Sequence, residues 1–201
     1  MKLVLATHNK HKIQEMSDIL KSINNDFELL SLDDIGFTGD IVEYADTFEG
    51  NSLIKAKTIS DFRGLPSIAD DSGLMVDILG GTPGVYSARF AGEGCSSSDN
   101  NDKLLRLLQG VEFDKRTARF VSVITLYMPN GDTISARGEC EGLITFSPKG
   151  NGTFGYDPVF YYPTYGKTFA EMSPSEKNNV SHRGNALKIF AKKLLYYKFI
   201  S

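Results

Sequence analysis

Ile68-Ala69-Asp70-Asp71-Ser72-Gly73-Leu74 sets two adjacent carboxylates at the end of an apolar run. Carboxylates in such a place bind Mg²⁺, a hard ion suited to oxygen ligands, or act as a general base. Successive strand residues point to opposite faces, so Asp70 and Asp71 share one site only if the strand breaks there; the following Ser-Gly offers a break. An Asx-turn with a helix cap uses the same residues. A second candidate lies at the N-terminus. The apolar run Leu3 to Ala6 empties into Thr7-His8-Asn9-Lys10-His11-Lys12, and an amphipathic run follows with Ile13, Met16, Leu20 and Ile23 on one helical face. Asn9 fits an N-cap, leaving the first backbone N–H groups, the helix dipole, Lys10 and Lys12 as an anion site suited to phosphate. No Gly precedes Gly36, so the glycine-rich nucleotide fingerprints are absent. The same hexapeptide fits an ordinary turn with solvated lysines.

Other segments carry weaker signals. Glu43 stands in a polar loop with Asp46 and Glu49, ahead of a helical run on which Asn51 and Lys55 share a face. Lys55 beside those acids suits a phosphate or a surface ion pair. In Gly152-Thr153-Phe154-Gly155-Tyr156-Asp157-Pro158, glycines flank a lone aromatic just before a strand. That suits close backbone approach and a ring that stacks on a base, with Asp157 reaching a base edge or sugar; a core role for the ring is the alternative. Ser181-His182-Arg183-Gly184 reads as early in the last helix, on the polar side of its stripe, with Lys177 one turn before. His182 and Arg183 offer donors to a base or phosphate, while an interhelical salt bridge is the plain role for Arg183. His182 has no Cys or His partner for zinc.

The positioning elements read as alternating strands and helices: strand 2–6, helix 10–24, strand 27–32, helix 51–63 and strand 67–70. That order implies βαβ units. Residues 80–98 read as loop with a short helix at 84–90, and a helix follows at 99–109. A hairpin is expected over 117–128 and 133–146 around Pro129-Asn130-Gly131-Asp132, and a strand over 157–162. Ser173, Pro174 and Glu176 make a capping box for a final helix whose Leu187, Phe190, Ala191, Leu194 and Leu195 face the core. The expected fold is α/β: a mixed twisted central sheet flanked by helices, one domain over 1–201, with a smaller β-rich lobe near 115–147. A ligand cleft is expected between the lobes.

Composition narrows the partners. The 22 basic against 25 acidic residues give a net charge of −3, which argues against a nucleic-acid polymer. Two cysteines make no disulfide framework or metal motif and point to a reducing cytoplasm. No apolar run approaches ~18 residues, so no membrane span is expected, and no signal peptide is read at the N-terminus.

Together these segments resemble the inosine triphosphate pyrophosphatase family, which clears non-standard purine nucleotides such as ITP, dITP and XTP. The resemblance runs from Leu3 to about Lys192. It rests on Thr7-x-Asn9-x-x-Lys12, on Thr47-Phe48 with Asn51 and Lys55, and on Ile68 to Leu74. Gly80-Gly81-x-Pro83-Gly84-x-Tyr86-Ser87-Ala88-Arg89, Phe154 to Pro158 and Ser181-His182-Arg183 complete it. It implies a two-lobed α/β fold, a homodimer, Mg²⁺ dependence, and hydrolysis of a purine nucleoside triphosphate to the monophosphate and pyrophosphate. Thr7, Asn9 and Lys12 then look like triphosphate ligands, with His8, Lys10, His11 and Lys55 beside them. Glu43 and Asp71 look like metal carboxylates, Asp71 also like the base that activates water, and Ser72 like a substrate contact. Phe154, with Gly155 and Tyr156, would present a stacking ring, and Asp157, Lys177, His182 and Arg183 would recognise the base. Where the family often has Gly or Ser, this chain has His8, and His11 stands where it often has Gly. A pyrophosphatase for another modified nucleotide and a non-catalytic nucleotide sensor are the other readings.

Overall fold

The computed structural model describes residues 2–23, 27–151 and 154–200; Gly152, Thr153 and the His11 side chain lie outside the described part. Strand β1 (Lys2–Leu5) leads through the hexapeptide into helix α1 (Lys10–Ile23). Asn9 caps that helix: its Oδ1 accepts the Lys12 N–H at 3.2 Å and its carbonyl accepts the Ile13 N–H at 3.0 Å. Strand β2 (Glu28–Leu30), helix α2 (Phe48–Arg63) and strand β3 (Ser67–Val76) follow. Helix α2 starts three residues before the expected 51 because Thr47 takes the N-cap, its hydroxyl accepting the Gly50 N–H at 3.1 Å. Gly64, at φ 67°, closes it in the left-handed conformation that glycine adopts without strain.

Strand β3 corrects the sequence reading. It does not stop at Asp70 but runs on through Ser72-Gly73 to Val76. Leu74 and Val76 beyond the expected break are both fully buried, and the Leu74 N–H is held by the Ser87 hydroxyl at 2.9 Å. Burial of the residues that follow outweighs the turn chemistry of Asp-Asp-Ser-Gly.

The remaining elements are helix α3 (Ser97–Leu107), strands β4 (Thr117–Tyr127), β5 (Thr133–Ile144), β6 (Phe160–Tyr162) and β7 (Lys167–Thr168), and helices α4 (Pro174–Val180) and α5 (His182–Ile200). A short 3₁₀ helix, Gly84–Arg89, occupies the loop where one was expected. The seven strands form one mixed sheet in the order β2-β1-β3-β4-β5-β6-β7. Its β2–β1 and β1–β3 pairs are parallel, with α1 connecting β1 to β2 and α2 connecting β2 to β3, and β5–β6 and β6–β7 are antiparallel. The final helix is two helices: Ser181 is extended (φ −66°, ψ 155°) between α4 and α5.

The chain divides into two compact units, Met1–Asp71 with Ser122–Gly138 and Arg183–Ser201, and Ser72–Val121 with Glu139–His182. The β4–β5 hairpin, expected within a lobe of its own, contributes residues to both. In the first unit, alternation along the strands builds two cores. Leu3, Leu5, Ile68, Ile124 and Leu126 pack with Met16 and Leu20 of α1 and with Ala186, Leu187, Phe190 and Leu194 of α5. Val4, Ala6 and Ala69 pack with Ala56 and Ile59 of α2. Leu195, expected on the buried stripe, is 52% exposed. The second unit centres on Leu74, Leu104, Leu108, Phe120, Tyr156, Phe160 and Phe169.

Candidate active site

The alternation that sorts the apolar residues of β3 also sorts its carboxylates. Asp70 falls on the Ile68 side, toward α1 and α5, and Asp71 on the Ala69 side, toward α2. Because β3 does not break, the two Asp do not share one set of partners. Asp70 Oδ2 meets Lys12 Nζ at 2.9 Å and an Arg183 guanidinium nitrogen at 3.1 Å, and Asp70 Oδ1 accepts the Ser122 hydroxyl. Arg183 also pairs with Glu15 of α1. Burial alone would raise the Asp70 carboxyl, but Arg183, Lys12 and Ser122 hold it well below the usual carboxylate range.

Asp71 Oδ1 accepts from Lys55 Nζ at 2.7 Å, and the same ammonium lies 3.0 Å from Glu43 Oε1. Lys55 and Asp71 are 6% and 5% exposed, so this is a buried cluster and not the surface ion pair that the sequence also allowed. Burial works against the Lys55 ammonium, yet the charges of Asp71 and Glu43 hold its pKa above the ordinary value. Burial likewise pushes the Asp71 carboxyl up; Lys55 opposes that shift and Glu43 adds to it, leaving Asp71 above its usual range. Asp71 Oδ2 is buried and makes no hydrogen bond among the described residues. A buried carboxylate oxygen left so costs at least about 1–3 kcal/mol, which marks it as a place for a cation or a reacting water. Among the described residues no three His, Cys, Asp or Glu side chains form a metal-binding group. Two carboxylates still fit Mg²⁺, which keeps several waters and takes remaining ligands from substrate phosphates.

At the hexapeptide, Thr7 Oγ1 accepts the Asn9 N–H at 3.1 Å, and His8 Nε2 lies 3.4 Å from the Gly39 carbonyl. His8, Asn9 and Lys10 are exposed, and Thr7 and Lys12 half-buried. Thr7 and Asn9 thus shape the turn as well as offering side chains.

In the second unit, Lys177 pairs with Asp157 at 2.5 Å, and its ammonium lies 5.6 Å from the Phe154 ring centroid. The structure therefore gathers three of the expected base-recognising residues. Tyr156 is 4% exposed, and its hydroxyl donates to the Ser87 carbonyl at 2.8 Å, so its ring belongs to the core. Ser72 is half-buried on β3. His182 stacks on Phe120 with centroids 4.6 Å apart and planes 12° from parallel.

Placing Ser181 to Gly184 on a polar face was wrong: His182 and Arg183 are 5% and 2% exposed. Residue 183 precedes Ala186 and Leu187 by one helical turn, which puts it on the buried stripe. The capping box at Ser173 suggested one continuous helix and hid that phase, which restarts after Ser181. Sequence reasoning also missed Glu15 and Ser122. Glu15 had a signal, lying three residues after Lys12 on the same face of α1.

The sequence profile of the Ham1 family matches residues 3–193. A dITP/XTP pyrophosphatase of Desulforamulus reducens is 51% identical over 189 residues, covering 94% of this chain and 92% of the relative. The Ham1 protein of Staphylococcus aureus superposes with a TM-score of 0.88 at 36% identity, over 98% of this chain and 100% of that one. A HAM1 protein of Coxiella burnetii gives 0.89 at 36% identity, over 98% and 99%. This chain belongs to the Ham1 family.

Proposed function

We propose that the chain is a nucleoside triphosphate pyrophosphatase that hydrolyses non-standard purine nucleotides, dITP, ITP and XTP, to the monophosphate and pyrophosphate. The observation that carries this reading is Asp71: a buried carboxylate with one oxygen on Lys55 and the other without a hydrogen bond. Membership of a family with relatives named dITP/XTP pyrophosphatase supports the substrate class.

Thr7, Asn9 and Lys12 grip the triphosphate, with His8, Lys10, His11 and Lys55 near it and Ser72 in contact. Glu43 and Asp71 would hold Mg²⁺, which when bound offsets the phosphate charge and polarises the phosphoryl oxygens. Asp71, lifted above its ordinary range by burial, accepts a proton from the water that attacks the α-phosphorus. The bond from that phosphorus to the bridging oxygen breaks, and pyrophosphate leaves. In the second unit, Phe154, beside Gly155, stacks on the purine, and Asp157, Lys177 and His182 act with Arg183 in recognising it. Hypoxanthine and xanthine present a carbonyl acceptor at the six position, whereas adenine's amino group would leave buried donors unpaired at about 1–3 kcal/mol each. The chain works as a homodimer, as the resemblance implies, and in the reducing cytoplasm to which its two cysteines point. No helix among the described residues is long and apolar enough to cross a membrane.

Asp71→Asn tests the central role. Nucleotide binding, followed by calorimetry, is retained, while pyrophosphate release falls about 10²–10⁴-fold. Near-normal release would remove Asp71 from the chemistry, and loss of binding alone would make it a ligand only.

A further inference from the structure

We infer that Asn101 is a positioning residue for the base-stacking loop, setting the affinity for the purine through Gly155. This rests on the reading of Phe154 as the ring that stacks on the base.

The loop is fastened from α3 at both polar groups of one residue. Asn101 Nδ2 donates to the Gly155 carbonyl at 3.0 Å, and the Gly155 N–H donates to Ser97 Oγ at 3.2 Å. Gly155 itself is in the left-handed region at φ 54°, so its peptide planes would turn readily without such anchors. The Asp157 N–H closes the turn on the Phe154 carbonyl at 3.2 Å. The backbone on the C-terminal side of Phe154 is thus aimed by two side chains one helical turn apart. The helix that carries them is itself fixed. Ser96 and Asp99 form its capping box, Leu104 and Leu108 are fully buried, and Asn100 holds the Ala91 N–H and the Ala88 carbonyl.

Asn101 is 5% exposed, yet its Oδ1 is buried and makes no hydrogen bond among the described residues. A helix interior disfavours asparagine, and an orphaned buried oxygen destabilises further. Stability alone would favour a residue without that oxygen. What the amide alone supplies here is a donor reaching a carbonyl one residue after the stacking ring.

The test uses steady-state kinetics on dITP together with two inhibitors: inosine monophosphate, which carries the base, and inorganic tripolyphosphate, which does not. For Asn101→Ala, KM and the inosine monophosphate inhibition constant rise about 5- to 20-fold. In the same variant kcat changes less than about twofold and tripolyphosphate inhibition is unmoved, because binding common to ground and transition states has been lost. Asn101→Asp, which sets an oxygen against the Gly155 carbonyl at equal volume, has at least the same effect. If Asn101 variants fail to fold, half-exposed Ser97→Ala carries the test, with the same split at smaller size.

Equal weakening of both inhibitors, or a lower melting temperature with KM unchanged, would overturn the inference by making the amide merely structural. Phe154→Ala separates this from the underlying reading. If it raises KM while Asn101 and Ser97 variants do not, the stacking ring stands and the positioning role falls. If Phe154→Ala itself leaves KM unchanged, both fall.

Discussion

Arg183 shows how far residue type informs chemistry and where burial changes the question. An arginine beside a histidine reads as a ligand donor, and here it also lies buried against Asp70 and Glu15. Removing one member of such a buried group leaves the others undercompensated, so Arg183→Met is expected to cost about 3–5 kcal/mol in urea unfolding. A cost below about 1 kcal/mol would mean that Lys12 and Ser122 suffice for Asp70. The buried position was legible from helical spacing to Leu187, once the helix is allowed to restart at Ser181. Asp71, Lys55 and Glu43 were legible by type, but not their distances: nothing in the sequence says that one ammonium lies against both carboxylates. Asn101 was not legible as a functional residue, because its partner is a backbone carbonyl 54 positions away.

Elements obey their local signals except where burial overrules them. The Ser173-Pro174-x-Glu176 box forms as expected, and Glu176 also pairs with Lys167 at 2.9 Å. That hydrogen bond to Lys167, with those from Ser173, lowers the Glu176 carboxyl from 4.5 to about 2. A carboxyl depressed on folding stabilises the native state above its unfolded pKa and ceases to do so as pH falls toward the folded value. The gap in melting temperature between the unsubstituted chain and Glu176→Gln should therefore narrow from pH 6 to pH 3; a constant gap would deny the carboxylate its role. Strand β3 is the opposite case. Its local sequence favours a break after Asp71, and only the buried Leu74 and Val76 keep it extended. That continuity gives Asp70 and Asp71 different faces, and hence gives Asp70 to Lys12 and Arg183 while Asp71 pairs with Lys55 through one oxygen and keeps the other without a hydrogen bond among the described residues.

For the molecule as a whole, the alternation of strands and helices made the α/β class and its βαβ units readable, while the order β2-β1-β3 comes from the structure. Each of the two units is assembled from separated stretches, and strands β3, β4 and β5 contribute to both. Pattern within a segment gives its element, while the grouping of segments depends on which distant faces bury one another. This assembly is expected to cleave non-standard purine triphosphates between the α and β phosphates. The measurement that tests it most directly is product analysis on dITP, XTP and ATP, with and without Mg²⁺. The expected result is Mg²⁺-dependent, equimolar monophosphate and pyrophosphate, with kcat/KM for dITP and XTP at least about 100-fold above ATP. Orthophosphate as the product, equal turnover of ATP, or tight dITP binding without turnover would contradict it.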